Sequence, residues 1–504
     1  MCICLSIVIM LPVLFFPMFG DIAIFLEAGK IIANGKKIYF DYIDIKPPGF
    51  FYFFAIIYKI FGYGEMGVRF FGFLWQVVTI FIMNIVIKQY LGDNRIANIS
   101  VIIYSMVFTV SGMGSNITPE AFLGLFFISA LYFYYLPSKL KLFLVGIMLG
   151  IAISFKYTFG VTLFVFYALN YTYYKKSFLQ YSLLITLGSL LIFIVSMIPL
   201  LDPEILQGFK DVSLFLKGYA SIPAFGISYI KFLLLSFLEM FTYYYSLSFF
   251  ILFALGAYFA IAEDKYKQNK LIDGLLLISL FLVFTIVIER KITGFHYTRL
   301  LLPFSILSSI GLYKLSISLE WSKYNLIKRF LIISLIPLFV FFSPLTRYAK
   351  EFEHIVYYFT DKNRFNDSYT TSGDNTGIRT TYFEIVGYLN YKAKKGDFIK
   401  VIAFGNNLIN YFLSDDFRKS IFPHSCFYYA KYDLPERWKR LHTDEIHKSN
   451  WIIVSFKDNH PILTGLDRTS YESLQLDTSN YNYIKSNFVQ DTIIEPFIIY
   501  KKIN

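Results

Sequence analysis

Asp21 stands directly behind an apolar run, residues 2–19, in a chain of 504 residues. A carboxylate at the edge of hydrocarbon is costly and persists where it has a partner or a task. Glu120 holds a comparable place, following Thr118-Pro119 at the start of another apolar run. Basic residues collect in similar positions: Lys30, Lys36, Lys37, Lys46, Lys156, Arg290 and Arg299 all lie beside apolar segments. Cations gathered at such edges suit an anionic ligand, either anionic lipid or a phosphate group.

The elements that must carry these residues are apolar helices. The chain is 56% hydrophobic and 16% charged, which is outside the range of a soluble domain of this length. Of the formal net charge of +12, residues 345–504 hold +2 and the apolar part holds +10. A tail of +2 offers no basic stripe for nucleic acid. Runs long enough to cross ~30 Å of hydrocarbon fall near 2–19, 69–88, 97–112, 120–136, 141–155, 157–174, 179–199, 242–261, 271–288, 299–317 and 329–345. These predict about eleven transmembrane helices. The first lacks a basic start and a small-residue cleavage site before Asp21, so it reads as a span and not as a signal peptide.

Lys and Arg in the short breaks set the orientation. Lys88 to Arg95, Lys139 and Lys141, Lys175 and Lys176, Lys265 to Lys270, and Lys323 to Arg329 occur at every second break. All five face the cytoplasm if the aromatic run 47–62 lies on the membrane instead of crossing it. The N-terminus is then cytoplasmic in a plasma or inner membrane. Segments 20–68, 113–119, 156, 200–241, 289–298 and the tail lie outside. Lys30, Lys36, Lys37, Lys46 and Lys156 then break the positive-inside rule, all on one face. Residues 1–345 form a membrane domain that includes the loop 20–68, and residues 346–504 an extracytoplasmic α/β domain. In that tail, strand-like runs at Phe398–Phe404, Trp451–Ser455 and Thr492–Tyr500 are separated by helical stretches near Thr381–Lys395 and Leu434–Ile446.

The first outer segment is the most informative. Ile22, Phe25, Leu26, Gly29, Ile32 and Ala33 share one helical face, which predicts an amphipathic helix over 21–34. Asn34-Gly35 stops it, and Pro47-Pro48 opens a second surface helix. An Asp just past the first span, then a short helix, Asn34-Gly-x-x-x-Tyr39 and Lys46-Pro-Pro-Gly49 before an aromatic run ending Phe61-Gly62 resembles the GT-C type membrane glycosyltransferases. The resemblance is to the protein mannosyltransferase and aminoarabinose (lipid A) transferase branch. It continues at Thr118-Pro119-Glu120, at Phe155-Lys156, at His296-Tyr-x-Arg-Leu-Leu-Leu-Pro303, and at Phe404-Gly405 followed by Tyr411-Phe-Leu-Ser414.

That resemblance implies an inverting transfer of a sugar from an outward-facing polyprenyl phosphate to a glycan, lipid or protein acceptor of the cell envelope. Such a transfer needs a carboxylate base at the acceptor and cations for the departing phosphate. By resemblance Asp21 is the base and Glu120 a second acidic residue, where family members often carry Asp. Lys46, Lys156, Arg290, His296, Tyr297 and Arg299 are the candidate contacts to the donor phosphate, with Asp44 in a supporting place.

Plainer duties stand beside each role. Asp21 also fits an N-cap, and Glu120 fits a helix dipole partner. Asp41 reads as a turn residue, and Asp44 equally as a turn residue or as a partner of Lys46 or Lys156. Lys156 could snorkel, Arg299 could anchor its span at the interface, and Glu289 with Arg290 could form an exposed ion pair. Lys30, Lys36 and Lys37 read as solvated or lipid-facing.

Six histidines show no zinc spacing, no glycine-rich phosphate loop follows a strand, and Asp41/Asp44 is the only pair resembling Asp-x-Asp. No cofactor or obligatory metal is expected. The Asn116-Ile-Thr118 sequon, followed by Pro119, reads as chance. Two other classes suit many spans and a basic outer face: a transporter of lipid-linked sugar or polysaccharide, and an O-antigen ligase. A transporter should show repeats, broken helices and charges at the bilayer midplane, whereas these charges sit at span ends. A ligase typically places its chemistry in a large middle loop.

Overall fold

The computed structural model describes residues 2–112, 116–138, 140–221, 229–240, 245–266, 269–289, 294–318, 343–368, 379–404, 407–459 and 461–503. The chain is mostly helical. In order come α1 (Cys2–Met10), α2 (Gly20–Ala33), α3 (Pro48–Phe61), α4 (Glu65–Leu91), α5 (Asn94–Val110), α6 (Pro119–Tyr135), α7 (Leu140–Phe155) and α8 (Leu163–Tyr173). They are followed by α9 (Phe178–Met197), α10 (Pro203–Ser221), α11 (Tyr229–Glu239), α12 (Leu247–Ala262), α13 (Lys270–Glu289) and α14 (Leu301–Ser318). Two compact units result. One joins 1–16, 66–198 and 229–355; the other joins 17–65, 199–228 and 356–504.

The first unit is built from the apolar helices. Its helices approach closely where glycines face carbonyls. A Cβ on Gly256 would lie 1.7 Å from the Leu307 carbonyl oxygen, and one on Gly146 would lie 2.1 Å from that of Ile185. No larger residue fits at either place, so α12 packs on α14 and α7 on α9 with their backbones nearly touching. Much of the outer surface is apolar: on α9, Leu179, Leu183, Leu191, Ile194 and Val195 are all exposed. Such a face is unfavourable in water and suits lipid.

Among the described residues, four helical segments are long and apolar enough to cross a membrane: Glu65–Leu91, Lys175–Leu201, Lys270–Glu289 and Gly294–Ile317. Several other expected spans are shorter helices, among them α5, α6, α7 and α12. The first expected span is interrupted. Its α-helix stops at Met10, and Leu11–Phe15 continue as a 3₁₀ turn, since Pro12 and Pro17 cannot donate to a helix ladder. The expected span 329–345 lies almost entirely outside the described residues.

The second unit holds the predicted surface helices. Asn34 caps α2, and Gly35 takes φ +80°, a left-handed conformation that glycine adopts without strain. Pro47 caps α3 and Pro48 opens it. Within the segment 200–241, expected as a loop, the described residues instead form α10, in this unit, and α11, in the first. The polar, amphipathic sequence of α10 hid it from a search for apolar runs. Phe215 of α10 packs on Phe427 and Trp438 at ring distances of 5.1 and 5.3 Å, and Asp211 pairs with Arg437 at 2.9 Å.

The tail carries one mixed sheet of five strands in the order β2-β1-β3-β5-β4. Strands β1 (Phe398–Ile402), β2 (Arg418–Lys419) and β3 (Trp451–Ser455) run parallel, while β4 (Phe488–Ile494) and β5 (Phe497–Lys502) are antiparallel neighbours. The run 492–500, read as one strand, is therefore a hairpin that turns at Glu495-Pro496.

Beside this sheet the buried Asp458 carboxylate accepts from the Ser470 amide at 2.8 Å, the Ser470 hydroxyl at 2.6 Å, and the Phe404 amide. Burial pushes its carboxyl up to about 6 against these hydrogen bonds. The folded tail therefore keeps a proton that an unfolded chain gives up near pH 4. This group's stabilisation is complete below about pH 4 and is lost as the pH rises to about 6, a change of roughly 3 kcal/mol. Thermal melts of the full chain in detergent should show this slope, and Asp458→Asn should flatten it.

Candidate active site

Five charged or polar side chains converge in the first unit, and local structure explains how each is presented. Thr118 caps α6, with its hydroxyl accepting from the Ala121 amide, and Pro119 opens the helix. This fixes Glu120 in the first turn, where the helix dipole favours a carboxylate. Helix α7 ends at Phe155, and Lys156 adopts an extended backbone before a 3₁₀ turn over Tyr157–Thr162, so its side chain leaves the helical path. Glu289 is the last residue of α13. His296 and Arg299 lie on the 3₁₀ turn Gly294–Leu300 that leads into α14. In a 3₁₀ helix residues three apart stand on the same side, so His-Tyr-x-Arg presents its imidazole and guanidinium together.

The Lys156 ammonium lies 2.6 Å from Glu120 Oε1, 2.7 Å from Glu289 Oε2 and 3.2 Å from His296 Nδ1. Arg299 donates from Nη1 to Glu289 Oε1 at 2.9 Å and from Nη2 to Glu289 Oε2 at 2.8 Å. Nη2 also reaches Glu120 Oε1 at 3.1 Å. Its remaining donors go to the Thr285 hydroxyl at 2.7 Å and the His296 carbonyl at 2.9 Å. Thr158 donates to Glu289 at 2.5 Å. The Phe159 ring covers the cations, 5.2 Å from the Arg299 guanidinium and 5.9 Å from the Lys156 ammonium.

His296 Nδ1 faces both Lys156 and Arg299 Nη2, the latter at 3.0 Å. Both of these can only donate, while Glu120 Oε1, 3.1 Å from the same nitrogen, can only accept, so Nδ1 faces donors and an acceptor together and the ring is taken as neutral. Two cations and two carboxylates then cancel, the condition under which ions tolerate burial. Arg299 is fully enclosed and the Glu120 side chain is 1% exposed.

The Glu120, Glu289 and His296 ligand atoms lie within 4.8 Å of one another, close enough to hold a metal ion. Two carboxylates and an imidazole are a donor set that zinc accepts. Here the Lys156 ammonium takes the place between them.

The structure thus brings together four of the expected residues, Glu120, Lys156, His296 and Arg299, and adds Glu289. Glu289 was read as half of an exposed pair with Arg290; instead its carboxylate is buried against Lys156 and Arg299. The rule that singled out Asp21, an acid at the end of an apolar run, also applied to it. Arg290 lies outside the described residues. Tyr297 is buried and donates its hydroxyl to the Ser236 carbonyl at 2.8 Å. Asn116 of the sequon is 0% exposed, so it is closed to modification in the fold. Among the described residues its amide atoms and Glu120 Oε2 are buried without hydrogen-bond partners.

Asp21, Asp44 and Lys46 belong to the second unit. Phe19 is the N-cap of α2, and half-buried Asp21 stands inside its first turn. Asp41 accepts from the Lys37 amide at 2.8 Å, as a turn residue does. Asp44 is also a turn residue: it accepts from the Ile45 and Lys46 amides at 2.6 and 3.1 Å, and burial raises its pKa.

Tyr39 has φ +67°, a strained conformation for a residue with a side chain. It donates its hydroxyl to the Lys46 carbonyl at 2.6 Å, so the tyrosine of Asn-Gly-x-x-x-Tyr fixes the backbone of Lys-Pro-Pro. The Lys46 ammonium lies 5.7 Å from the Phe25 ring centre, with no carboxylate within ion-pair distance among the described residues. Lys30 and Lys37 are not free in solvent or lipid. Lys30 is buried beside Asp415 at 2.5 Å, and Lys37 pairs with Asp202 and Glu204 at 2.8 and 2.6 Å.

Residues 45–201 match the family of dolichyl-phosphate-mannose-protein mannosyltransferases. No curated protein matches the chain in sequence. Among solved structures, ArnT from Cupriavidus metallidurans, bound to undecaprenyl phosphate, is similar over 100% of this chain and 97% of its own. The identity is 12% and the TM-score 0.58. The Archaeoglobus fulgidus oligosaccharyltransferase tethered with an acceptor peptide is similar over 90% of this chain and 68% of its own, at 11% identity and TM-score 0.53. The archaeal oligosaccharyltransferase AglB, from the same organism and in complex with an inhibitory peptide and a dolichol-phosphate, covers 90% of this chain and 69% of its own. There the identity is 10% and the TM-score 0.50. At these identities the likeness is one of fold. The sequence match over residues 45–201 and the shared fold agree in likening the chain to the GT-C type membrane glycosyltransferases of the ArnT and protein mannosyltransferase branch.

Proposed function

We propose that the protein transfers a sugar, with inversion, from a polyprenyl-phosphate carrier to a glycan, lipid or protein acceptor of the cell envelope. Transfer takes place on the outer face of the plasma or inner membrane. In this reading about eleven helices span the membrane, the N-terminus is cytoplasmic, and residues 1–345 form the transferase domain. Residues 346–504 are extracytoplasmic.

Asp21 takes the proton of the acceptor hydroxyl as its oxygen bonds to the anomeric carbon. The bond from that carbon to the phosphate oxygen breaks, and the lipid phosphate leaves with the electron pair. Lys46, Lys156, Arg290 and Arg299 offset its growing charge, with His296 and Tyr297 beside them. Glu120 is the second carboxylate, and Asp44 shapes the turn that carries Lys46.

The observation that carries this reading is the pairing of the half-buried Lys156 with the enclosed Arg299, joined through Glu120 and closed under Phe159. Cations enclosed in this way act in a low dielectric, where they stabilise a leaving phosphate far better than in water.

Purified protein offered a panel of polyprenyl-phosphate sugars should consume at least one and release its polyprenyl phosphate when an acceptor is present. If no donor is consumed while lipid-linked sugar redistributes across vesicles, the protein is a transporter.

A further inference from the structure

Lys156 and Arg299 are proposed to hold a lipid phosphate, yet both are already taken. Glu289 occupies them in the manner of a phosphate. Its two oxygens sit on the two terminal nitrogens of Arg299 at 2.9 and 2.8 Å, and one also meets the Lys156 ammonium at 2.7 Å. The two-pronged contact is the one arginine makes with phosphate oxygens. A hydroxyl donor, Thr158, completes the cradle.

The charges make simultaneous occupancy unfavourable. Lys156 and Arg299 balance Glu120 and Glu289, so the cluster is neutral. A lipid phosphate carries one negative charge as the sugar ester and up to two once the sugar has left. Adding it without losing a carboxylate would bury a net negative charge.

Glu289 is the carboxylate that costs least to release. It ends α13, and the C-terminus of a helix disfavours an anion. Glu120 begins α6, where the dipole holds it.

We infer that Glu289 is an internal surrogate for the lipid phosphate, which keeps Arg299 and Lys156 aligned and is displaced when a polyprenyl phosphate binds. The inference rests on the proposed use of such a lipid at this site. Here Glu289 is a positioning residue. A merely structural role would make its loss weaken binding, whereas a surrogate competes with the ligand.

The test is the affinity of the full chain in detergent for undecaprenyl phosphate, with undecaprenol as the uncharged control. Glu289→Gln should bind the phosphate about tenfold more tightly than wild type and the alcohol equally. Its melting temperature should be lower without ligand and should rise more with it. Inorganic phosphate should shift melting less than the lipid does; the reverse order would overturn the assignment to a lipid.

Equal or weaker binding of undecaprenyl phosphate by Glu289→Gln, with wild-type binding intact, refutes the surrogate and leaves the proposed function standing. A wild-type protein that does not prefer the phosphate to the alcohol removes the proposed function itself. If Glu289→Gln does not fold, Glu289→Asp serves. Its shorter carboxylate cannot fill the guanidinium fork from the helix end, so it should bind about threefold more tightly, and unchanged or weaker binding again refutes the surrogate.

Discussion

Asp21→Asn should abolish sugar transfer while the protein still inserts, folds and binds its lipid donor. The substitution keeps size and hydrogen-bonding shape but removes the capacity to take a proton. Loss of a positioned base costs roughly a hundredfold to ten-thousandfold in rate, and the reading puts this change at the upper end, because the second carboxylate, Glu120, is held by Lys156 and Arg299. Phe19 caps α2, and Asp21 lies inside its first turn, so the helix does not depend on Asp21 as its N-cap. The effect should therefore fall on kcat and not on the melting temperature. Single-turnover transfer from the donor found in the panel is the measurement, with donor binding as the control. A variant that transfers sugar at a rate near wild type would remove Asp21 from the role of base.

Arg299→Ala should damage both fold and function, and by more than any other single change in the cluster. The guanidinium is fully enclosed and serves Glu120, Glu289, Thr285 and the His296 carbonyl. Its removal leaves the Glu120 and Glu289 carboxylates sharing one cation, Lys156, beside the Thr158 hydroxyl and His296, and breaking a buried pair in this way costs about 3–5 kcal/mol. The expected result is a melting temperature lowered by several degrees and a KM for the lipid donor raised at least tenfold. Arg299→Lys restores the charge but not the planar fork, so it should recover most of the stability and little of the donor binding. That split separates a phosphate contact from a structural ion. If Arg299→Ala melts and binds donor as wild type does, the cluster has no part in the site.

Much of the local structure was legible from residues alone because its causes are local. Asn34-Gly35 ends α2 because glycine reaches a left-handed conformation freely. Pro48 opens α3, and Thr118-Pro119 opens α6, because the first turn of a helix has no use for proline's missing donor. The apolar runs of the tail gave β1 and β3 to within a few positions, while the short β2 carried no such run and Glu495-Pro496 folded one expected strand into two. Helix α10 was missed because its pattern is amphipathic and no apolar run marks it.

The sequence by itself determined that the chain has an apolar helical body with acids and cations at the ends of its runs, since hydropathy and capping act over a few residues. Only the tertiary structure decided which of those charges meet. Glu120 and Arg299 are 179 positions apart, and Lys156 and Glu289 are 133 apart, so no period or spacing links them. Their pairing depends on how α6, α7, α13 and the turn before α14 pack, and that packing follows from the summed shape of many side chains. Burial then leaves these charges little water to turn to, and neutrality at the cluster selects Glu289, a residue that no motif had marked.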